Sequence, residues 1–190
     1  MAQKINRKFF FDQVRLRLFG GKLSASQTTG MAAILDEWEK NYAERDSRWL
    51  AYSLGTTFHE TNQAMTAVEE GYYLGNAAKV KRFQKSLRYS PFYGRGLVQL
   101  TWERNYRMMG EQFNIDLIKK PEMALDADLT VKIMFFGMLH GSFTGKKFSD
   151  YFSSTKDNWV GARRIINGRD KDLLVANYAK VFYSAISFTV

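Results

Sequence analysis

Trp49-Leu50-Ala51-Tyr52-Ser53-Leu54-Gly55-Thr56-Thr57-Phe58-His59-Glu60 is the stretch around which the rest of the chain is arranged. Leu50, Leu54 and Phe58 recur every four residues, with Ala51 and Gly55 beside them, which predicts an apolar stripe along one side of a helix. Asp46 stands where a side-chain oxygen can cap its first turn. At about 100° per residue, Glu60 projects about 120° away from Leu54, so packing by the leucines aims this carboxylate toward a groove. A polar bend then leads to Val68-Glu69-Glu70, a second acidic pair. Two carboxylates on opposite walls of one groove suffice to hydrolyse a glycosidic bond, one as general acid and one activating water. Glutamate at a helix end is commonly just solvated, so the reading needs support from elsewhere in the chain.

The bulk properties narrow the field. A chain of 190 residues, 45% hydrophobic and 15% aromatic, can bury one sizeable core, and no stretch resembles a long linker. A single domain over residues 1–190 is expected, with no separate cell-wall-binding domain. Without cysteine, disulfides, a thiol nucleophile and thiolate metal sites are excluded. His59-Glu60 matches the start of a zinc-protease helix, but that motif needs a second histidine where Gln63 stands, so neither metal nor cofactor is expected. The longest apolar run, Ile133 to Leu139, falls well short of a membrane span. The opening residues lack the apolar stretch and cleavage site of a secretory signal, which predicts a start in the cytoplasm and release by some other agent. The balance of 28 basic against 19 acidic residues gives a net charge of +9, which favours polyanionic surroundings without choosing among them. The basic residues are scattered and fit no nucleic-acid motif, so a solvated surface accounts for most of them.

Along the chain, Asn6 caps a short helix through Phe9, Phe10, Val14 and Leu18 that Gly20-Gly21 ends. Ser24 and Gln27 form a capping box for a helix reaching Tyr42. From Thr61 to Ser90 the pattern is irregular and reads as a long loop with at most a small hairpin. Pro91-Phe92-Tyr93-Gly94-Arg95-Gly96-Leu97-Val98-Gln99-Leu100-Thr101 places one arginine between glycines and ends on Thr101, a candidate cap for a helix through Trp102, Asn105 and Met109. Its glycine spacing does not fit a phosphate loop. Asp128 is read as the cap of a helix from Leu129 to His140, and Asp157 as the start of another through Val160, Ala162, Ile165 and Ile166. The last helix, from about Lys171, aligns Val175, Tyr178, Ala179, Phe182 and Ile186. Roughly seven or eight helices with little strand signal make a mostly α protein.

Taken in order, Phe58-His59-Glu60-Thr61, then Tyr93-Gly94-Arg95-Gly96-Leu97-Val98-Gln99-Leu100-Thr101, then Ile165-Ile166-Asn167-Gly168 resemble glycoside hydrolase family 19. That family holds plant-type chitinases and many phage endolysins. The opening Asn6-Arg7-Lys8-Phe9-Phe10, Phe19-Gly20-Gly21-Lys22-Leu23 and Ile34-Leu35-Asp36-Glu37-Trp38 look like its compact phage and prophage branch. The resemblance implies a lysozyme-like fold with a cleft between two helical lobes, and an inverting mechanism. Glu60 would then be the general acid, its proton held by a partly apolar wall, and the base would come from Glu69 or Glu70, with Glu69 narrowly preferred. Inversion implies carboxyl groups about 6.5–9.5 Å apart. By the same carry-over Tyr93, Gln99, Thr101 and Asn105 line the sugar cleft and Asn167 helps hold the attacking water or an N-acetyl group. Arg95 is expected to brace its loop through backbone hydrogen bonds. The segment Arg169-Asp170-Lys171 departs from the plant-chitinase continuation, which sets chitin apart from the expected substrate.

Chitin is neutral and bacterial envelopes are anionic, so the charge favours peptidoglycan glycan strands as partner. The expected function is a phage-type endolysin, a muramidase cutting the β-1,4 bond between N-acetylmuramic acid and N-acetylglucosamine before host lysis. Its chain is expected to be a monomer that inserts in no membrane, binds no nucleic acid and depends on a holin-type partner for release. A chitinase, a lytic transglycosylase and a non-catalytic polyanion-binding module are the alternatives.

Overall fold

The computed structural model describes residues 4–189. Three helices come first: α1 (Arg7–Leu18), α2 (Ala25–Asn41) and α3 (Ser47–Glu60). Their starts follow the sequence reading. Asn6 accepts from the Phe9 amide, Ser24 and Gln27 make the reciprocal capping box, and Asp46 accepts from the Arg48 amide. Short strand β1 (Val68–Glu69) pairs antiparallel with β2 (Arg95–Gly96), putting Val68 opposite Gly96 and Glu69 opposite Arg95. Between them lies α4 (Ala77–Ser86), and after them come α5 (Glu103–Phe113) and α6 (Ala127–His140). A second two-stranded pair, β3 (Phe152–Ser153) and β4 (Lys156–Asp157), precedes a 3-10 turn at Gly161–Ile165 and the final helix α7 (Asp172–Ala185).

The stripe expected on α3 is corrected: every residue from Leu50 to Phe58 is buried, on all sides. The helix threads the core between α2, α6 and α7, and its closest neighbour is α7, where Gly55 meets the backbone of Ala179. Burial on every face leaves its hydroxyls to find partners inside the protein, and among the described residues Tyr52 Oη and Thr56 Oγ1 find none while others do. Ser53 Oγ donates to the Trp49 carbonyl at 2.9 Å, Thr61 Oγ1 to the Thr57 carbonyl at 2.7 Å, and Thr57 Oγ1 contacts Met134 Sδ at 3.2 Å. Such bonds within one helix let polar residues sit where a one-sided pattern places none.

Two apolar clusters share α6. Val131, Met134, Phe135 and Met138 join the larger one around α3, while Leu129 and Ile133 join Tyr106, Met109 and Leu117 beneath α5. The helical regions on either side of the cleft are thus tied through one buried helix.

Four local expectations are overturned. The stretch from Thr61 to Ser90 contains α4, capped by Asn76, whose side chain accepts from the Ala78 and Lys79 amides. Thr101 caps nothing: its hydroxyl donates to the Gln99 carbonyl at 2.7 Å, and α5 is entered through Trp102 at φ 76°. Asp126, not Asp128, caps α6 by accepting from the Asp128 and Leu129 amides. The helix expected from Asp157 is a short 3-10 turn, because Asp157 pairs in β4 and Asn158 instead accepts from the Gly161 amide.

A Cβ on residue 55 would stand 2.7 Å from the Ala179 nitrogen and 2.8 Å from its Cα, and backbone on both sides leaves little room to yield. Gly55→Ala is therefore expected to lower stability by about 1–3 kcal/mol, read as a drop in the urea midpoint at unchanged slope.

Candidate active site

α3 ends at Glu60 with its last turn still inside the core, so the carboxylate emerges from a rigid base. The chain then turns through Asn62, Gln63 and Met65 at φ 43°, 70° and 56°. Such backbone is costly for residues with a Cβ and tends to collect at functional sites. Tyr72 helps hold this turn by donating its hydroxyl to the Thr61 carbonyl at 2.6 Å.

Beyond the turn, the β1–β2 pairing brings the acidic pair back across from α3. His59, Glu60, Glu69, Glu70, Tyr73 and Gln99 are among the residues lining one cleft of about 390 Å³. Three of the predicted acids and one of the predicted polar residues thus share a single concavity.

The three carboxylates have different surroundings. Glu60 Oε1 accepts from Arg163 Nη1 at 2.6 Å, and the arginine, 2% exposed, is itself held by donating Nε to the Asp170 carbonyl at 2.9 Å. The apolar wall expected beside Glu60 is therefore corrected: its nearest partner is a buried guanidinium. Glu70 is engaged through both oxygens, Oε1 accepting from Tyr89 Oη at 2.8 Å and Oε2 from the Gly94 amide at 2.7 Å. Its main chain is fixed too, with its amide donating to the Gly94 carbonyl at 2.7 Å. Glu69 uses only Oε1, which accepts from Tyr93 Oη at 3.1 Å and lies 3.4 Å from Arg95 Nε. Among the described residues nothing donates to Glu60 Oε2 or Glu69 Oε2.

Neighbouring groups respond to this arrangement. Burial pushes the Tyr89 hydroxyl up to about 12, and its hydrogen bond to the Glu70 carboxylate adds to the effect, so it stays a donor. Burial also raises Tyr93, with the Arg95 charge opposing and Glu69 assisting. Burial lowers His59 below the usual imidazole range, although the adjacent Glu60 charge works the other way. Arg95 lies 3.8 Å over the Tyr93 ring and donates Nη1 to the Pro91 carbonyl at 3.1 Å and to Tyr106 Oη at 2.9 Å. It braces its loop as expected, and it also holds the residue that carries the Glu69 contact.

The remaining predicted residues separate. Gln99, at φ 53°, donates Nε2 to the Val68 and Gly96 carbonyls at 3.1 and 3.2 Å, and its Oε1, beside Gly94, accepts from no donor among the described residues. Tyr93 touches Glu69 rather than the open cleft. Asn105 is buried and donates to the Thr101 carbonyl at 2.8 Å, so Thr101 and Asn105 support the turn carrying Gln99 from behind. Asn167 is exposed, its Oδ1 accepting from the Gly168 amide and its own amide donating to the Arg163 carbonyl. Among the described residues no cluster of acidic and histidine side chains converges to hold a cation.

Sequence reasoning missed Arg163 by counting it among solvated cations. One signal was available: it stands among the apolar residues Ala162 and Ile165, both of which are buried.

No family model matches the chain. By architecture it is a mostly α, lysozyme-like protein with the fold of the family 19 chitinases. Chitinase C from Streptomyces griseus superposes with a TM-score of 0.59 at 16% identity, covering 95% of this chain and 75% of that one. A bacterial family 19 chitinase gives 0.53 at 18% identity, covering 93% and 94%. In sequence, the chain is 32% identical to chitinase 11 of rice over 80 residues, which is 42% of this chain and 30% of the rice protein. It is 34% identical to a papaya endochitinase over 98 residues, 45% of this chain and 40% of that protein. The chain thus spans well under half the length of the curated relatives it matches.

Removing Arg163 leaves the Glu60 carboxylate without its buried partner. Arg163→Ala is expected to cost about 3 kcal/mol in denaturant unfolding, and the double change Arg163→Met with Glu60→Met to recover part of that loss.

Proposed function

We propose that the chain is an inverting glycoside hydrolase of the family 19 type that cleaves β-1,4 bonds in a polymer containing N-acetylglucosamine. One observation carries the reading: three carboxylates line one cleft, and of these, among the described residues, Glu60 and Glu69 each keep an oxygen that accepts from no protein donor. The sequence likeness to plant endochitinases supports the chemistry.

In this mechanism Arg163 fixes Glu60 through Oε1, so Oε2 is the oxygen that carries the proton to the leaving glycosidic oxygen. Tyr93 and Arg95 fix Glu69 in the same way, and its Oε2 takes a proton from the attacking water. Water bonds to the anomeric carbon from the face opposite the departing sugar, the C–O bond breaks, and configuration inverts. Glu70 serves as a strut: its two bonds hold the Tyr89 to Gly94 loop and set the position of its neighbour Glu69. Gln99 Oε1 is suited to accept from a sugar hydroxyl or an N-acetyl amide.

For the substrate, the net charge of +9 favours the anionic bacterial wall, and we assign the chain to peptidoglycan, as a muramidase of the phage endolysin kind. In that role it acts as a monomer, and no described helix is long and apolar enough to cross a membrane, so a holin-type partner supplies the route to the wall. Chitin is the second reading, favoured by the names of its relatives.

Purified sacculi and chitin hexamer, assayed side by side for new reducing ends, separate the two. Glu60→Gln and Glu69→Gln are each expected to lower kcat by about 10²-fold or more. Glu70→Gln should lower the melting temperature while keeping kcat within about tenfold, since its carboxylate accepts structural hydrogen bonds. Full activity in Glu60→Gln removes the acid assignment, and activity on chitin alone removes the peptidoglycan one.

A further inference from the structure

Outside the cleft, α4 carries a run of exposed cations. Lys79, Lys81, Arg82 and Lys85 lie on it and Arg88 just beyond, and all five are exposed. No aspartate or glutamate occurs between Glu70 and Glu103. Among the described residues none of the five cations forms an ion pair. Arg88 is partly occupied over the Trp102 ring at 5.0 Å, and among the described residues the other four lie over no aromatic ring. Lys81 and Lys85 stand one turn apart, as do Lys79 and Arg82, and like charges at that spacing destabilise a helix. An anionic partner relieves that repulsion.

The other side of the helix is committed to the cleft wall. Gln84 is buried and donates to the Glu70 carbonyl at 3.0 Å, while the Phe83 ring fills the space beside Gly71. Glu70, Gly71 and Tyr73 line the cleft, so α4 is joined to the site through a single layer of backbone. Tyr73, 63% exposed, lines the cleft and belongs to the short turn that packs against α4.

We propose that α4 captures the substrate polymer by its carboxylates and makes the chain prefer an acidic glycan to a neutral one. The inference rests on the peptidoglycan reading above and names the element that selects it. Muramic acid carries a lactyl group, with or without a peptide, so alternate sugars of a wall strand bring carboxylates past the site. A chitin strand brings none. Screening confines such attraction to within about 8 Å at physiological salt, so the cations act on the part of a strand that leaves the cleft and runs over the outer face of α4.

The test measures pelleting with purified sacculi from an outer-membraned bacterium, in the Glu60→Gln background so that binding is read without turnover. The same sacculi with their carboxylates capped as methylamides provide a neutral control. At low salt the parent is expected to bind native sacculi at least about tenfold more tightly than capped ones, with the difference vanishing near 1 M salt. The variant Lys79→Gln/Lys81→Gln/Arg82→Gln/Lys85→Gln should bind both alike, and the charge-conserving Lys79→Arg/Lys81→Arg/Lys85→Arg should match the parent. Equal binding of native and capped sacculi by the parent overturns the proposal and needs no mutant to fold. Loss of the preference in neither variant overturns it as well, as does α4-dependent binding to anionic phospholipid vesicles without any preference for native sacculi. Turnover is scored separately: preferential binding through α4 with no product from sacculi removes the catalytic reading and leaves this one standing.

Discussion

The pairing of Glu60 with Arg163 is the contact on which the rest of the structure depends. One partner ends a helix buried on every face, and the other is an arginine sunk in the core from a 3-10 turn more than a hundred residues later. A buried guanidinium is tolerable only if its charge is met and its donors are used, and here Glu60 and the Asp170 carbonyl meet them. The same contact that satisfies Arg163 leaves a single oxygen of Glu60 facing the cleft. Stability and the proposed chemistry therefore use one geometry.

The opposite wall is built differently. Glu69 and Glu70 are adjacent in sequence, yet the antiparallel pairing of Val68–Glu69 with Arg95–Gly96 sends them to separate tasks. Glu70 binds the returning loop through Tyr89 and the Gly94 amide, and Gly94 lacks the Cβ that would press on Gln99 Oε1 at 2.7 Å and Glu70 Oε2 at 3.1 Å. Glu69 is steadied by Tyr93 and Arg95 and keeps one oxygen unengaged. Unequal hydrogen bonding makes Glu70 a strut and leaves Glu69 free for the proposed role of base.

How much of this was legible in the sequence depended on whether the signal was local. Helix starts at Asn6, Ser24 and Asp46 were readable because a cap needs only residues two or three positions apart. Glu60 and Gln99 lie in two of the motifs that carry the resemblance, Glu69 and Glu70 were readable as an acidic pair after the polar bend, and all four line one cleft. α4 was hidden because its stripe of Val80, Phe83 and Leu87 is thin, and much of its support comes from contact with Glu70 and Gly71 across the cleft wall. The full burial of α3 was hidden because Ser53, Thr57 and Thr61 satisfy their hydroxyls within the helix or on methionine, which no periodicity reports. Arg163 was hidden because its burial is decided by Glu60, far away in sequence. Thr101 looked like a cap until the left-handed backbone at Trp102 redirected the chain.

The proposed reaction needs two carboxylates on opposite faces of one sugar with water between them, and the stereochemistry of the first product reports that arrangement directly. Proton NMR of a β-1,4-linked glycan taken within the first minutes of cleavage, before mutarotation, is predicted to show the new reducing end as the α anomer. A β anomer, or an anhydro sugar with no reducing end, would contradict it.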